Sequence, residues 1–378
     1  MTDVVVVGAG IVGLAAAYEV TRLGYTVTIV DANHQGRATD AGAGIVNPLD
    51  LIGERSTAER ERVELRGADY YRDLLAELAD DGETDHGYAG VGQVVVATND
   101  AQDAVLERLS ARLSSMDAGS LADYVGTVQR LSTGEAAGLV PYLLDGAHAL
   151  LLPGIARVDG RRLSACLASA LRKRGADFRP GMGELVTRAE AVIGVRIDGE
   201  QIDTDRVIAA PGAWSATQWP SMLGDAITPI RGQIVHLSYP GGNIARTPVV
   251  SNIGGPYILA FEPDRVVTGA THEDVGFDYR VTAGGLAEVL NTALRFAPGL
   301  AGATMLETRV GFRPVSRDGL PMVGPIPGIT GAVLATGLGA HGLTLGPAVG
   351  AIAARIAVGM DPGHDLTALR PDRFSVEC

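Results

Sequence analysis

Val4-Val5-Val6-Val7-Gly8-Ala9-Gly10-Ile11-Val12-Gly13 stands at the start of the chain, and its reading decides the fold. Four β-branched residues in a row fit a strand buried on both faces of a parallel sheet. The run passes without a break into a G-x-G-x-x-G. A helical segment follows, with Leu14, Ala17, Tyr18 and Thr21 on one face and Gly24 placed to stop it. The next strand, Thr26 to Val30, ends at Asp31, eighteen residues past Gly13 and close to the ~20 expected of a dinucleotide-binding unit.

Each part has a physical task in such a unit. Gly8 permits the tight turn, Gly10 lets backbone approach a pyrophosphate, and Gly13 lets helix and strand pack closely. Free N–H groups and the helix dipole then favour the negative charge. Asp31 is the expected acceptor for a ribose hydroxyl. A lone glycine motif is a weak signal in a chain with 50 glycines. Strand, motif, helix, strand and acid in one register make a strong one, although by themselves they do not separate FAD from NAD.

Length and composition narrow the rest. The 378 residues suggest two domains, or one large α/β domain with a second sheet. A net charge of −13 argues against nucleic acid or anionic lipid as partners. With 46% hydrophobic residues the chain is globular. The two cysteines, Cys166 and Cys378, exclude a disulfide scaffold and a cysteine-based metal site, and suit the cytoplasm. The start lacks the basic region of a signal peptide, and the apolar stretch from Gly331 to Gly359 is broken by His341, Arg355 and several glycines. No transmembrane segment is expected.

Further along, Ser56-Thr57-Ala58-Glu59 has the form of a capping box before a helix carrying Val63, Tyr70, Tyr71, Leu74 and Leu78. Val91 to Ala97 has strand chemistry, and a helix is expected over 101–113. Asp159 caps another, burying Leu163, Leu167, Ala170 and Leu171. A meander covers 184–210 with Asp198-Gly199 as hairpin turn, leading to Ile208–Ser215 with its Pro211-Gly212 turn. A β-rich block follows over 230–270. Gly311 to Pro325 is punctuated by turn residues; then come a buried strand (Ala332–Ala335), the loop Thr336–Gly342, and a helix from Leu343 to Val358 with Pro347 near its first turn.

On four of these segments the sequence resembles the FAD-dependent amino-acid oxidoreductases of the D-amino-acid oxidase superfamily, in the glycine oxidase and D-amino-acid dehydrogenase branch. They are the N-terminal unit, Thr39–Ile45, Ile208–Ser215, and Phe312–Gly324 followed by Gly337–Pro347. NAD enzymes share only the first, so the resemblance selects FAD. It implies an α/β fold with antiparallel β: a Rossmann-like FAD-binding domain (1–84, 148–222 and 305–378) interleaved with a substrate domain on an antiparallel sheet (85–147 and 223–304). The cofactor contacts it implies are Gly8, Gly10, Ile11, Val12, Gly13, Asp31 and Ala32, then Thr39, Ala43, Gly44 and Ile45. Gly212, Trp214, Arg313, Gly337, Gly339, His341, Gly342, Leu343 and Thr344 complete the set. Relatives that bind FAD covalently use a cysteine near Phe312–Pro314; none is there, so the FAD is expected to be non-covalent, and no metal is implied.

The reaction implied is hydride transfer from the substrate Cα to flavin N5, giving an imine that hydrolyses to the 2-oxo acid. Oxygen or a quinone-type carrier then takes the electrons. The substrate is an amino acid, a D-amino acid by the branch resembled. N-methyl or cyclic (proline-type) amino acids, a 2-hydroxy acid, or a flavin-binding subunit active only in a complex are alternatives. A homo-oligomer is compatible with all of these. In Gly311-Phe312-Arg313-Pro314, similar to the Gly-Leu-Arg-Pro of glycine oxidase, Arg313 matches the family's carboxylate-binding arginine. Its fork can pair a carboxylate bidentately and Pro314 keeps it extended, the alternative being a structural ion pair. Tyr257 either presents its hydroxyl to the substrate or packs beside Leu259 and Phe261. His341 either touches flavin or substrate or bonds locally. Glycine oxidase has a further arginine where this chain has Ala340, which weakens glycine itself as preferred substrate. Arg231, in Arg-Gly-Gln, reads as structural.

Overall fold

The computed structural model describes residues 2–48, 58–115, 124–218, 223, 225–363 and 365–374. The proposed capping residues Ser56 and Thr57, and Cys378, lie outside them. The valine run forms strand β1 (Val4–Val7), at most 3% exposed, in the middle of a six-stranded sheet. Its order is Met322–Pro325, Ala332–Thr336, Val207–Ala209, β1, β2 (Val27–Asp31) and Asp177–Pro180. All neighbours are parallel except the first pair, which is a hairpin. Parallel strands need helical crossovers, and helix α1 (Ile11–Arg22) supplies the first. It stops where expected, with Gly24 at φ +88°. Asp159 caps the Gly160–Lys173 helix by accepting the N–H groups of Arg161 and Arg162 at 3.0 and 3.2 Å.

An eight-stranded sheet stands beside this layer, in the order Thr304–Ser316, Ile227–Ser238, Arg265–Gly269, Tyr257–Phe261, Val249–Asn252, Gln93–Ala97, His148–Leu152 and Gln129–Leu131. It is antiparallel apart from the Val249–Asn252 and Gln93–Ala97 pair. One face packs under the Ala283–Phe296 helix through Val289 and Phe296 against Val235, Ile258 and Ala260. Ile234, Leu259 and Val267 pack together with Tyr257, Ala43 and Ile45. The fold is thus the mixed α/β and antiparallel β arrangement expected.

Several local features differ from the sequence reading. The turn-rich stretch after Gly311 is, up to Ser316, the second half of a 13-residue strand, because its turn formers sit opposite Ile227–Gly232 in a continuous ladder. That strand and His148–Leu152 both pair within the large sheet, so the sheet reaches past the expected boundaries at 305 and 148. The Ala283–Phe296 helix was not anticipated. In the meander, Asp198 and Gly199 turn with φ of +50° and +90° as their sequence suggests, whereas Ala189 and Glu190 do so at +49° and +65° without any turn signature.

Candidate active site

β1 delivers the chain to Gly8 at φ +106°, where a Cβ would stand 2.3 Å from the Ala210 carbonyl oxygen. Gly13, one turn into α1, lies against the same loop: a Cβ there would come within 1.8 Å of the Gly8 carbonyl oxygen. Gly10 differs from both. It caps α1 with extended backbone and no side-chain bond, and a Cβ on it would meet only the Thr39 hydroxyl, at 3.5 Å. The helix N-terminus therefore opens onto free space, with no acidic residue in its first turn to offset the dipole. Thr39 Oγ1 accepts the Ile11 N–H at 3.0 Å and so marks the edge of this opening.

Asp31 closes the other side. Its carboxylate accepts the Ala9 N–H at 3.0 Å and the Asn33 N–H at 3.2 Å, and pairs with Arg37 at 3.0 Å. Arg37 also pairs with Asp40 at 2.8 Å. The expected ribose acceptor is thus already held by three donors while still lining the opening.

From here a cavity enclosing about 1490 Å³ of empty space, its open mouth included, runs to the face of the large sheet. It is lined by Gly8, Gly10, Ile11, Val12, Asp31 and Ala32, by Thr39 and Ala43–Ile45, and by Gly212, Trp214, Tyr257, Arg313, Gly339, Gly342 and Leu343. Residues far apart in sequence are gathered here. Gly13, Gly337, His341 and Thr344 are not among the lining residues. Gly13 serves the packing just described. Thr344 is buried, its hydroxyl donating to the Ile45 carbonyl at 3.1 Å. Gly337, at φ +78°, turns the chain out of the Ala332–Thr336 strand, beside Ile227 and Ser316. His341 places Nδ1 3.4 Å from Glu64 and lines a separate small recess with Val63, Pro321 and Leu345. Of the two expectations for His341, contact with flavin or substrate and local bonding, the placement beside Glu64 favours the second.

At the sheet end, register assembles the polar group. The Ile227–Ser238 and Thr304–Ser316 strands set Ile230 opposite Arg313 and Gly232 opposite Gly311. The Arg313 guanidinium lies over Gly232, where a Cβ would be 2.5 to 2.7 Å from its atoms, so a side chain at that position would push the guanidinium aside. Its Nη1 donates to the carbonyls of Thr271 at 3.0 Å and Arg231 at 3.4 Å. Among the described residues no carboxylate pairs with it; by contrast, Arg231 takes both Glu273 and Asp278. Tyr257 shares this end. Burial pushes its phenol above the usual value, while Arg313 beside it pulls the other way.

An aromatic cluster adjoins the lining. Trp214 is stacked between His34 (4.5 Å) and Phe277 (5.1 Å), and Phe312 meets Trp214 and Phe277 edge-on. The sequence reading missed His34, Arg37, Gly232 and Phe277. The first two lie within six residues of Asp31 and were within reach of the motif. Gly232 arrives through strand register and Phe277 on a turn distant in sequence, which no local pattern records.

Comparison with known proteins agrees with this geometry. The family model described as DAO, FAD dependent oxidoreductase, matches residues 3–356. The uncharacterized oxidoreductase YurR of Bacillus subtilis (strain 168) is 40% identical over 375 residues, covering 98% of this chain and 99% of that protein. The crystal structure of iminodiacetate oxidase from Chelativorans sp. BNC1 superposes with a TM-score of 0.90 at 42% identity, covering 97% of this chain and 98% of that one. Glycine oxidase from Geobacillus kaustophilus superposes at 0.87 with 26% identity, covering 99% of both chains.

Proposed function

Since this chain belongs to the DAO family of FAD-dependent oxidoreductases, we propose that it oxidises the Cα–N bond of an amino acid whose carboxylate docks on Arg313. Its cofactor is FAD. The chain suits that group: Gly10 leaves the α1 N-terminus open for a pyrophosphate, and the cavity continues from there to Arg313. No cysteine lines the cavity among the described residues, in keeping with non-covalent binding. When bound, the flavin supplies the hydride acceptor for the substrate Cα–H.

The protein's own part is to hold and orient. The single observation that carries the proposal is Arg313, a cation lining the cavity with its fixed contacts made to carbonyls and no counter-ion among the described residues. Such a fork pairs a substrate carboxylate bidentately. Tyr257 borders the same space. Among the described residues the titratable ones lining the cavity are Asp31, His34, Arg37, Tyr257 and Arg313. Asp31 is engaged by three donors and His34 is stacked on Trp214, and the reaction proposed uses neither as a base. The substrate amine therefore enters unprotonated, its lone pair assisting hydride departure.

A D-amino acid is the substrate class we propose first, on the branch of the family its motifs resemble. The 42% identity to an iminodiacetate oxidase supports a second class, the N-substituted glycines. Oxygen or a quinone-type carrier would reoxidise the flavin, in the cytoplasm that suits a chain with two cysteines. The test is anaerobic bleaching of the purified yellow protein by D- and L-amino acids, glycine, sarcosine, iminodiacetate and 2-hydroxy acids. Bleaching by D-amino acids over their L-enantiomers supports the first class, and bleaching by sarcosine or iminodiacetate alone moves the assignment to the second. Bleaching by hydroxy acids alone, or by nothing, defeats the proposal.

A further inference from the structure

The carbonyls that fix Arg313 belong to Thr271 and Arg231, and the side chains of both residues end on one carboxylate. We infer that Glu273 is a positioning residue, locking the Thr271 and Arg231 carbonyls so that the Arg313 guanidinium faces the substrate carboxylate. The inference rests on the carboxylate-binding role proposed for Arg313.

Alternation along the Ile227–Ser238 strand creates the arrangement. Successive side chains in a strand point to opposite faces, so Arg231 and Gln233 share one face while Gly232 belongs to the other, under the Arg313 guanidinium. Arg231 is 3% exposed and Gln233 fully buried. Arg231 pairs with Glu273 through Nη2 and with Asp278 at 2.9 Å through Nη1, and its backbone exchanges two hydrogen bonds with that of Glu273, at 2.9 and 3.0 Å. The other Glu273 oxygen accepts from Gln233 Nε2 at 2.8 Å and from Thr271 Oγ1 at 2.7 Å. Thr271 Oγ1 in turn accepts the Gln233 N–H at 2.9 Å.

Thr271 is thereby held by its hydroxyl between two partners, and its carbonyl is left for Arg313. The ionised form of Glu273 is the one that makes these bonds: the hydrogen bond from Arg231 holds its carboxyl at about 2, against the opposing effect of burial. A neutral amide at this position would have two acceptor sites fewer and would leave Arg231, a buried cation, with Asp278 as its remaining carboxylate. The guanidinium would shift by a fraction of an ångström, enough to misalign a bidentate contact. Nothing in this chain of contacts reaches the α1 cradle, so the flavin should be held as before.

The experiment uses the holoenzyme and two compounds, an amino acid that reduces it and the corresponding decarboxylated amine. Glu273→Gln should raise KM for the amino acid on the order of 10-fold, with a smaller change in kcat. FAD occupancy and kcat/KM for the amine should stay as in the wild type, and Glu273→Asp should recover part of the loss. Thr271→Val, which removes the hydroxyl without changing shape, should give the same selective loss in smaller measure and stands in if Glu273→Gln does not fold. Equal losses for both compounds, or an unchanged KM for the amino acid, overturn the inference. Arg313→Leu run alongside separates the two layers. If that variant is selective and Glu273→Gln is not, positioning fails and the carboxylate site stands. If neither is selective, both fall.

Discussion

The two ends of the cavity are built in opposite ways. The α1 end comes from one contiguous segment: the ten residues Val4–Gly13 carry the strand, the turn, the three glycines and the helix start, and Asp31 follows on the adjacent strand. The Arg313 end has no such segment. Arg313, Tyr257, Gly232 and Thr271 arrive on different strands and loops of the eight-stranded sheet, and their meeting depends on a ladder twelve pairs long. Backbone N–H groups and a helix dipole suffice for a diphosphate, which every member of a cofactor class shares. A substrate must be told from its neighbours, and that takes side chains set at an angle only tertiary packing can fix. Damage at the first end should therefore remove every activity at once, and damage at the second should be selective.

The largest effect expected is at Gly10. A Cβ alone would be tolerated, since only the Thr39 hydroxyl comes within 4 Å, but the methyls of valine would fill the opening at the helix N-terminus. Gly10→Val should leave a folded, colourless protein inactive on all substrates, read from the flavin absorbance of purified material against its circular dichroism. Retention of FAD in that variant would mean the pyrophosphate lies elsewhere, and the contrast between the two ends would collapse.

Arg313→Leu comes next. A hydrogen bond to a charged group contributes about 1.5–3 kcal/mol, which corresponds to roughly 10- to 100-fold in kcat/KM. The loss should fall on amino acids and spare their decarboxylated amines, with FAD still bound. Arg313→Lys should recover little, because an ammonium cannot reproduce the fork. A loss shared equally by acid and amine would show Arg313 supporting the flavin or the fold.

Tyr257→Phe should cost less. Removing one neutral hydroxyl forfeits about 0.5–1.5 kcal/mol, or roughly 2- to 10-fold by the same conversion. The ring would remain packed with Ile234, Leu259 and Val267. A steady-state comparison on the best amino acid decides whether the hydroxyl faces substrate; unchanged kinetics would leave Tyr257 as packing alone.

The same contrast explains what was legible in the sequence. The Val4–Asp31 unit, its glycine roles and the Asp159 cap were readable because spacing along the chain carries the physics in such cases. Arg313 was found through its motif context rather than its pattern. Gly232 was invisible: what it accommodates is a guanidinium from a strand about eighty residues away. The Gly311–Ser316 stretch was misjudged because turn-forming residues are tolerated in a strand that has a long partner. The hairpin at Ala189-Glu190 shows the reverse, with paired strands imposing positive φ on residues that do not favour it.

His341 should give the smallest effect, and its value lies in what it removes from the mechanism. It stands in the loop leading to the Gly342–Ala357 helix, yet its Nδ1 lies 3.4 Å from Glu64 and it lines the small recess rather than the large cavity. Of the groups beside Arg313, the Tyr257 phenol is raised by burial and so remains protonated through neutral and moderately alkaline pH. Glu273, held at about 2, remains ionised over the same range. Neither changes charge there, so the rise of kcat/KM with pH should belong to the substrate, whose amine must shed its proton before hydride leaves. His341→Ala should then slow turnover slightly, through the altered packing against Glu64, and leave the inflection of the pH profile where it was. A substrate with a less basic amine should move that inflection to lower pH in wild type and variant alike. If His341→Ala abolishes the inflection, or if changing the amine fails to move it, a protein group is taking the proton and the absence of a base beside Arg313 is disproved.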